Sequence, residues 1–386
     1  MKKGWQTKTL GDVAVVGAGN SAPQDEALFE NGTIPFFRTA DAGRVRFGDI
    51  TESTDYLNNK GVKGLRRFAP GTILFPKSGA STFLNHRVML GVEGCVSSHL
   101  ATIVADEKQA HPRFLLYFLS TIAAQDLVQD HAYPSLNLPT IAGIEVQLPP
   151  QAEQKRIVGL LDEAFEGIAT AKANAEKNLQ NARALFESHL HSVFNCPPKG
   201  WGQKLLGEVC EYVNGKAHEQ CIDEKGRFIV INSKFISTDG EVFKKSDQAL
   251  LLLQPGDIAM VLSDVPNGKA LAKCYLVKEA DTYTLNQRIC VIRSVRFHTK
   301  FLFYQLNRNR HFLSFDNGEN QTNLRLNQVL SCPLFIPAIS EQESIAKTLD
   351  AMSEETQRLE YLYQQKLAAL DELKKSLLHQ AFSGQL

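Results

Sequence analysis

The chain has 386 residues, which is enough for two or more domains with separate buried cores. Its 42 Lys and Arg residues balance its 42 Asp and Glu residues, so the formal net charge is zero and no overall field attracts nucleic acid or an anionic membrane. Seven cysteines without a C-x-x-C pair argue against a disulfide framework and a zinc site, and no apolar run is long enough to span a membrane, so a cytoplasmic location is expected.

Residues 1–148 are predicted to form a mixed α/β domain. Short runs rich in β-branched and aromatic residues, such as "TIPFFRT" (33–39) and "GTILF" (71–75), lie between Gly, Pro, Asn and Asp clusters and are typical of strands. The segment "PRFLLYFLSTIAAQDLVQD" (112–130) predicts a helix. The glycine-rich "GAGNS" (17–21) lacks the third glycine of a nucleotide loop and a clear following helix, so we interpret it as a surface turn.

Residues 149–198 are predicted to be a spacer segment built on one long helix. Two prolines, Pro149 and Pro150, stand at its start. Apolar residues then recur from Ile157 to Val193 in steps of mostly three and four, which is typical of a helix that packs along its length.

The second half of the chain repeats the first. "GWQTKTLGDV" (4–13) matches "GWGQKLLGEV" (200–209), and "HPRFLLYFL" (111–119) matches "HTKFLFYQL" (298–306). The offsets of these two matches differ, at 196 and 187 residues, and an internal repeat of this kind indicates duplicated structural units. The predicted boundaries are therefore 1–148 and 199–337 for two globular domains, and 149–198 and 338–386 for two helices.

The two helices are predicted to be each other's partners. A capping box at Ser340–Glu343 predicts where the second one starts. Small residues of the first helix correspond to large residues of the second: Ala171 to Leu359, Ala175 to Tyr363 and Ala182 to Leu370. We expect an antiparallel coiled coil with a globular domain at each end and pseudo-two-fold symmetry. The alternative is an ordinary helical hairpin inside one large core.

Catalytic signatures are missing from the sequence. It contains no phosphate-binding P-loop, no G-x-G-x-x-G, no H-E-x-x-H and no G-x-S-x-G. The acidic "CIDEKGRF" (221–228) fits a solvated turn better than a nuclease site, and the histidines are scattered without metal-ligand spacing. On its own residues the chain is predicted not to be an enzyme.

Together these features resemble the DNA specificity subunits of type I restriction-modification systems. The resemblance is carried by "LPPQAEQKRIVGLLD" (148–162) and "IPAISEQESIAKTLD" (336–350), by the strand and loop "PGTILFPKSGAS" (70–81) and by "QAFSGQL" (380–386). It implies two tandem target recognition domains, separated by helices that set a fixed gap, which read a bipartite double-stranded DNA sequence.

The resemblance also implies partners. Two methyltransferase (modification) subunits would dock on the chain, and restriction subunits with helicase and nuclease activity would join the complex. S-adenosylmethionine, ATP and Mg²⁺ are expected on those partners, with no cofactor bound by this chain. Two alternatives stay open: the specificity subunit of a methylation-only system, and a two-domain coiled-coil scaffold that does not bind DNA.

Candidate DNA-facing residues are polar or basic side chains in turns next to strand ends. Arg and Lys pair with guanine edges, Asn and Gln with adenine, and Ser and Thr with bases or phosphates. The second domain has "MVLSDVPNGKA" (260–270) where the first has the basic "FPKSGAS" (75–81). Trp5 and Trp201, at equivalent positions, are interpreted as core anchors. The candidates are Arg38, Thr39, Asp41, Lys77, Ser78, Ser81, Asn85, His86, Arg87, Asn232, Ser233, Lys234, Asn267, Lys269, Asn286, Gln287, Arg288, Asn320, Gln321, Asn323 and Arg325.

Overall fold

A computed structural model describes residues 4–128, 132, 134–195, 197–266 and 268–386. The chain divides into two compact units: unit 1 comprises Met1–Glu176 and Gln364–Leu386, and unit 2 comprises Lys177–Tyr363. Each unit therefore contains part of both long helices. The four-segment division expected from the sequence stays a prediction. None of the described helices is long and apolar enough to cross a membrane.

Unit 1 is a mixed α/β structure. Its helices are α1 (Leu10–Val13), α2 (Thr39–Val45), α3 (Pro112–Leu119), α4 (Leu138–Ala142) and the start of α5 (Gln151–Asn195). Short 3-10 helices lie at Glu26–Leu28, Ala80–Leu84 and Ala124–Asp126. Its strands are β1 (Gln6–Thr9), β2 (Ala14–Ala18), β3 (Ile34–Phe37), β4 (Phe47–Ile50), β5 (Asp55–Leu57), β6 (Arg67–Phe68), β7 (Ile73–Pro76), β8 (Arg87–Leu90), β9 (Gly94–Val96), β10 (Leu100–Ala105) and β11 (Glu145–Leu148).

Among its described residues, the strands of unit 1 form three sheets, with orders β2-β10-β7-β8-β4, β5-β3-β9-β6 and β1-β11. The apolar runs of β7 and β8 are buried at every position, which fits central strands covered on both faces. Helix α3 ends at Leu119, not near residue 130 as the sequence predicted. The hydroxyls of Ser120 and Thr121 donate to the carbonyls of Tyr117 and Phe118, so they compete with further helical bonds.

Unit 2 has the same design. Its helices are the end of α5, α6 (Leu206–Val209), α7 (Ser233–Ser237), α8 (Thr299–Leu306), α9 (Arg310–Leu313), α10 (Leu326–Leu330) and the start of α11 (Ile339–Ser383). Its strands are β12 (Gly202–Leu205), β13 (Glu211–Asn214), β14 (Phe228–Ile231), β15 (Lys244–Ser246), β16 (Ile258–Val261), β17 (Ser263–Asp264), β18 (Cys274–Leu276), β19 (Tyr283–Leu285), β20 (Ile289–Arg293), β21 (Thr322–Asn323) and β22 (Pro333–Ile336).

Most of the sheet order of unit 1 recurs in unit 2, which confirms the duplication, although β4 and β6 have no counterpart among the described strands of unit 2 and β17-β21 is an additional pair there. β13-β20-β16-β18 corresponds to β2-β10-β7-β8, β15-β14-β19 to β5-β3-β9, and β12-β22 to β1-β11. The parallel pair β3 and β9 recurs as β14 and β19.

Gly19, the second glycine of "GAGNS", corresponds to Gly215 in unit 2. A Cβ on Gly19 would lie 2.3 Å from the Ser97 carbonyl oxygen, and one on Gly215 would lie 2.0 Å from that of Asn286. Asn20, the next residue, forms a β-bridge with Ser97. The segment is therefore a close crossing of two backbone stretches, which requires glycine, and not the surface turn predicted from the sequence.

The long helices are antiparallel within each unit, as predicted. In unit 1, Arg156 donates to the Leu386 carbonyl, while Lys172, further along α5, pairs with Asp371, earlier in α11. In unit 2, Arg183 pairs with Glu360 at 2.8 Å. Further along α5, Phe194 packs in the same cluster as Ile345. The side chains of Ala175 and Ala182 are buried.

The repeated Glu-Gln and Leu-Asp residues attach each long helix to its domain. Gln154 in α5 accepts the His111 N–H at 2.7 Å, and Gln342 in α11 accepts the His298 N–H at 2.8 Å. α11 begins at Ile339, one residue before the capping box predicted at Ser340.

Aspartates eight residues, or about two helical turns, after these glutamines accept phenol hydroxyls from the domains. Tyr117 donates to Asp162, and Tyr304 donates to Asp350 at 2.8 Å. Burial, and then the hydrogen bond to the carboxylate, raises the pKa of both tyrosines. The duplicated sequence motif therefore encodes a duplicated structural attachment.

The two tryptophans pack against the cores of their units, in agreement with their interpretation as anchors. Trp5 contacts the main apolar cluster of unit 1, and Trp201 contacts that of unit 2. The Trp201 indole N–H also donates to Glu341 at 3.0 Å.

Candidate nucleic-acid interface

Several strand ends of unit 2 meet around a hollow of about 240 Å³. The connections that follow β16 and precede β20 contribute to it, together with β21. Many of its lining side chains are polar. They are Tyr212, Asn214, Leu262, Ser263, Gln287, Arg288, Asn323, Leu324 and Leu326.

The backbone beneath this hollow is held by hydrogen bonds. Leu262 donates its N–H to the Arg288 carbonyl at 2.9 Å, and Leu324 donates to the Leu262 carbonyl at 2.8 Å. Ser263 and Asn323 are paired in the β17–β21 ladder. The side chains of Arg288 and Asn323 project outward and are exposed. Within the described part of the chain, neither makes a side-chain hydrogen bond or ion pair.

Two polar groups of the hollow are held by protein partners. Gln287 donates to Glu219 at 2.5 Å, and Tyr212 donates to the Asn214 side chain at 2.6 Å. The Gln287 hydrogen bond lowers the pKa of Glu219, and the nearby Arg288 charge contributes. These bonds hold the side chains that line the hollow, whereas the Arg288 guanidinium keeps its hydrogen-bond donors unused among the described residues.

The equivalent place in unit 1 has the same backbone geometry. Lys77 donates its N–H to the His99 carbonyl at 3.0 Å, and Leu136 donates to the Lys77 carbonyl at 2.8 Å. Ser78 and Ser135 form the matching β-bridge. His99 therefore occupies the position of Arg288, and Ser135 that of Asn323.

His99 and Ser135 are exposed but were not among the sequence candidates. Aligning "VSSHLATIVA" (96–105) with "LNQRICVIRS" (285–294) places His99 opposite Arg288 and could have found it. A larger hollow of about 530 Å³ adjoins Ser78 and Ser135 in unit 1, lined also by Gly79, Ala80, Phe83, Ala132 and Pro134.

The loops "FPKSGAS" (75–81) of unit 1 and "MVLSDVPNGKA" (260–270) of unit 2 differ in sequence, and their side chains have different roles. The register places Lys77 opposite Leu262, so the basic side chain of unit 1 has no counterpart there. Asp264 instead accepts the N–H groups of Ala270 and Leu271, at 2.7 and 3.1 Å, and folds its own loop.

Asp41 and Arg87 are corrections to the predicted set, because both side chains are buried. Asp41 accepts hydrogen bonds from Thr54 and from the Arg38 N–H, among others. The Arg87 guanidinium lies 3.5 Å from the centre of the Phe75 ring and donates to the His86 and Ile122 carbonyls. Burial lowers the pKa of Arg87 to about 9. Both side chains are bonded within the fold and are not at the surface.

The side chains of six further candidates form hydrogen bonds with other residues of the chain. Their contacts are Arg38 with Asp55, Ser81 with the Ser78 carbonyl, Asn85 with Gln125 and Ala124, Asn232 with the Phe235 N–H, Asn286 with the Arg288 N–H, and Gln321 with Ser263. The Ser233 hydroxyl is buried and has no partner in the described residues. Asn267 lies outside them.

The remaining candidates are exposed or half-buried, and their side chains make no hydrogen bond or ion pair with described residues. Burial, followed by the charges of Arg46 and Arg87, lowers the pKa of His86. The group consists of Thr39, Lys77, Ser78 and His86 in unit 1 and Lys234, Lys269, Arg288, Asn320, Asn323 and Arg325 in unit 2.

Comparisons with known proteins agree on one family. The family model described as type I restriction modification DNA specificity domain matches residues 2–180 and 198–368. The MjaIX specificity subunit of a type I restriction enzyme from Methanocaldococcus jannaschii is 31% identical over 171 residues, which are 43% of this chain and 39% of that subunit. The MjaVIII specificity subunit from the same organism is 22% identical over 422 aligned residues, covering 99% of this chain and 93% of the relative.

Two solved structures share the fold. A chain from a study of complex assembly and conformational transition of the type I R-M system has a TM-score of 0.81 at 18% identity, covering 100% of this chain and 99% of the other. The HsdS subunit from Thermoanaerobacter tengcongensis has a TM-score of 0.61 at 18% identity, covering 100% and 98%.

Proposed function

The chain belongs to the type I restriction-modification DNA specificity family, and on that premise we propose that it binds double-stranded DNA sequence-specifically for a type I complex. Each unit reads one part of a bipartite target. The chain supplies recognition, and the chemistry is carried out by other subunits.

The observation that carries this proposal is the pair of equivalent strand-end surfaces. Both present polar or basic side chains that make no hydrogen bond or ion pair with described residues: the exposed Arg288 and Asn323 in unit 2, and the half-buried Lys77 and exposed His99 in unit 1. Side chains of these types bind base edges and phosphates. The surfaces also differ between the units, as two unlike half-sites require.

The proposal includes partner subunits. Methyltransferase subunits dock on the chain, and restriction subunits with helicase and nuclease activity complete the complex. S-adenosylmethionine, ATP and Mg²⁺ are bound by these partners. Zero net charge fits this division, because partners that surround the DNA can supply phosphate contacts that the chain does not make itself.

Mapping methylated adenines at base resolution tests the proposal. The chain is co-expressed with its methyltransferase partner in cells free of other adenine methylation, and the methyltransferase alone is the control. We expect methylation within one motif of two specified parts separated by an unspecified gap. Methylation without a motif, or an identical pattern from the methyltransferase alone, would favour a scaffold that does not read DNA.

A further inference from the structure

Resting on the proposed function, we propose that Arg288 is a specificity-determining residue that reads a guanine in the part of the target bound by unit 2. An arginine side chain can donate two parallel hydrogen bonds to guanine O6 and N7 in the major groove. The inference depends on where Arg288 lies and on how its neighbours are bonded.

The main chain of Arg288 is fixed from both sides. Its N–H donates to the Asn286 side chain at 3.2 Å, and its carbonyl accepts the Leu262 N–H at 2.9 Å. The next residue, Ile289, begins β20 and is fully buried. An arginine anchored in this way loses less freedom on binding than one in a free loop.

The guanidinium forms no ion pair among the described residues. The charge of Glu219 interacts with that of Arg288 without a salt bridge, and the Glu219 carboxylate accepts the Gln287 amide at 2.5 Å. By contrast, Arg293 at the far end of the same strand forms an ion pair with Asp257. Arg288 therefore has its donors free among the described residues, beside the exposed amide of Asn323.

The equivalent residue of unit 1 has different chemistry. His99 has the same backbone partner geometry, yet its imidazole cannot form the two-donor fork of a guanidinium. The two units thus present different readers at one structural position. This difference predicts that a guanine preference arising at this structural position belongs only to the part of the target read by unit 2.

The test uses the chain purified with its methyltransferase partner and a panel of duplexes in which each target position is changed to every other base. Wild type is expected to prefer guanine at one position in the part read by unit 2, by roughly 5- to 150-fold. R288A is expected to lose that preference and keep all others. R288K is expected to weaken it, because lysine can still donate to a guanine edge but lacks the planar two-donor fork. R296A, an exposed arginine beyond the other end of β20, is the matched control and is expected to keep the full preference.

Three results separate the possibilities. An unchanged preference profile in R288A overturns the inference. Uniform weakening in R288A that R288K restores also overturns it, since it indicates a phosphate contact. If wild type itself shows no sequence preference, the proposed function fails rather than this assignment. Because the Arg288 side chain is exposed, the variants are expected to melt as wild type does.

Discussion

At the scale of single residues, Asp41 shows that the type of a side chain and its place beside a strand end do not determine its role. An aspartate next to a strand end suggested a base contact, but tertiary packing surrounds it with donors. Burial raises the pKa of Asp41, whereas hydrogen bonds from Arg38 and Thr54 and from the Ser53 hydroxyl outweigh burial and hold the pKa below 3.8. No property of the local sequence predicts that burial.

Replacing this carboxylate gives a pH-dependent prediction. Asp41→Asn should lower the free energy of unfolding by about 1.5–3 kcal/mol at pH 7. The reason is that donors now bonded to a charged carboxylate would meet a neutral amide, which is a weaker acceptor. A lowered folded-state pKa gives stability that is present above pH 3.8 and lost as the pH falls through that pKa. Chemical denaturation from pH 7 to pH 3 should therefore show the gap between wild type and variant narrowing. A constant gap would contradict it, and Glu30→Gln, at an exposed carboxylate, is the control.

The two glutamines of the helix entries give a second prediction. Gln154 and Gln342 are buried and satisfy backbone groups that would otherwise be unpaired, including the Pro149 and Pro337 carbonyls. Changing either to Ala should cost about 1–3 kcal/mol in unfolding free energy. Gln180→Ala, at an exposed position of α5, should cost far less. Equal effects in thermal or chemical unfolding would mean that the buried amides do not anchor the helices.

At the scale of elements, the sequence predicted the long helices better than the sheets. Helical periodicity is local, so the apolar series from Ile157 to Val193 sufficed for α5. Strand pairing is not local: β3 pairs in parallel with β9 across a long stretch of chain, and no short-range pattern specifies that. The equivalence of His99 and Arg288 rests on matching bonds between distant segments, and in the sequence it is visible only when residues 96–105 are aligned with 285–294.

Helix packing gives a third prediction. Ala175 is 1% exposed in α5, close to the Lys172–Asp371 pair. Ala175→Trp should overpack the helix pair and lower the free energy of unfolding by about 1–3 kcal/mol. Ala173→Trp, at an exposed position of the same helix, should change it by about 0.5 kcal/mol or less. Indistinguishable melting curves for the two variants would contradict the packing role of Ala175.

At the scale of the whole molecule, duplication was readable from the sequence because both copies keep the residues that attach helix to domain. The contacts of Gln154 and Asp162 in unit 1 match those of Gln342 and Asp350 in unit 2. The proposed recognition surfaces were harder to predict from the sequence, because their residues differ between the copies. Sequence comparison alone therefore finds what the two units share and misses what makes them specific.

Helix length gives a fourth prediction. α5 runs without interruption from unit 1 into unit 2. Seven residues inserted after Glu176, with seven after Tyr363 to preserve the antiparallel contacts, add about 10 Å of helix. Methylation mapping should show the gap in the target changed by about three base pairs, or methylation lost through the accompanying rotation. The original gap at full efficiency would exclude the helices as the ruler. The same insertion after Glu279, in an exposed turn, should leave the gap unchanged.

The central claim is that each unit reads its own part of the target, and exchanging a unit tests it most directly. Gln6 pairs with Leu148 in unit 1 as Gly202 pairs with Ile336 in unit 2, so residues 202–336 can be replaced by a copy of residues 6–148 at matched positions. The copy brings His111 and Tyr117 to meet Gln342 and Asp350. With co-purification of the methyltransferase as the assembly control, methylation mapping should show the part read by unit 1 on both sides of the gap. Persistence of the original second part would contradict the account.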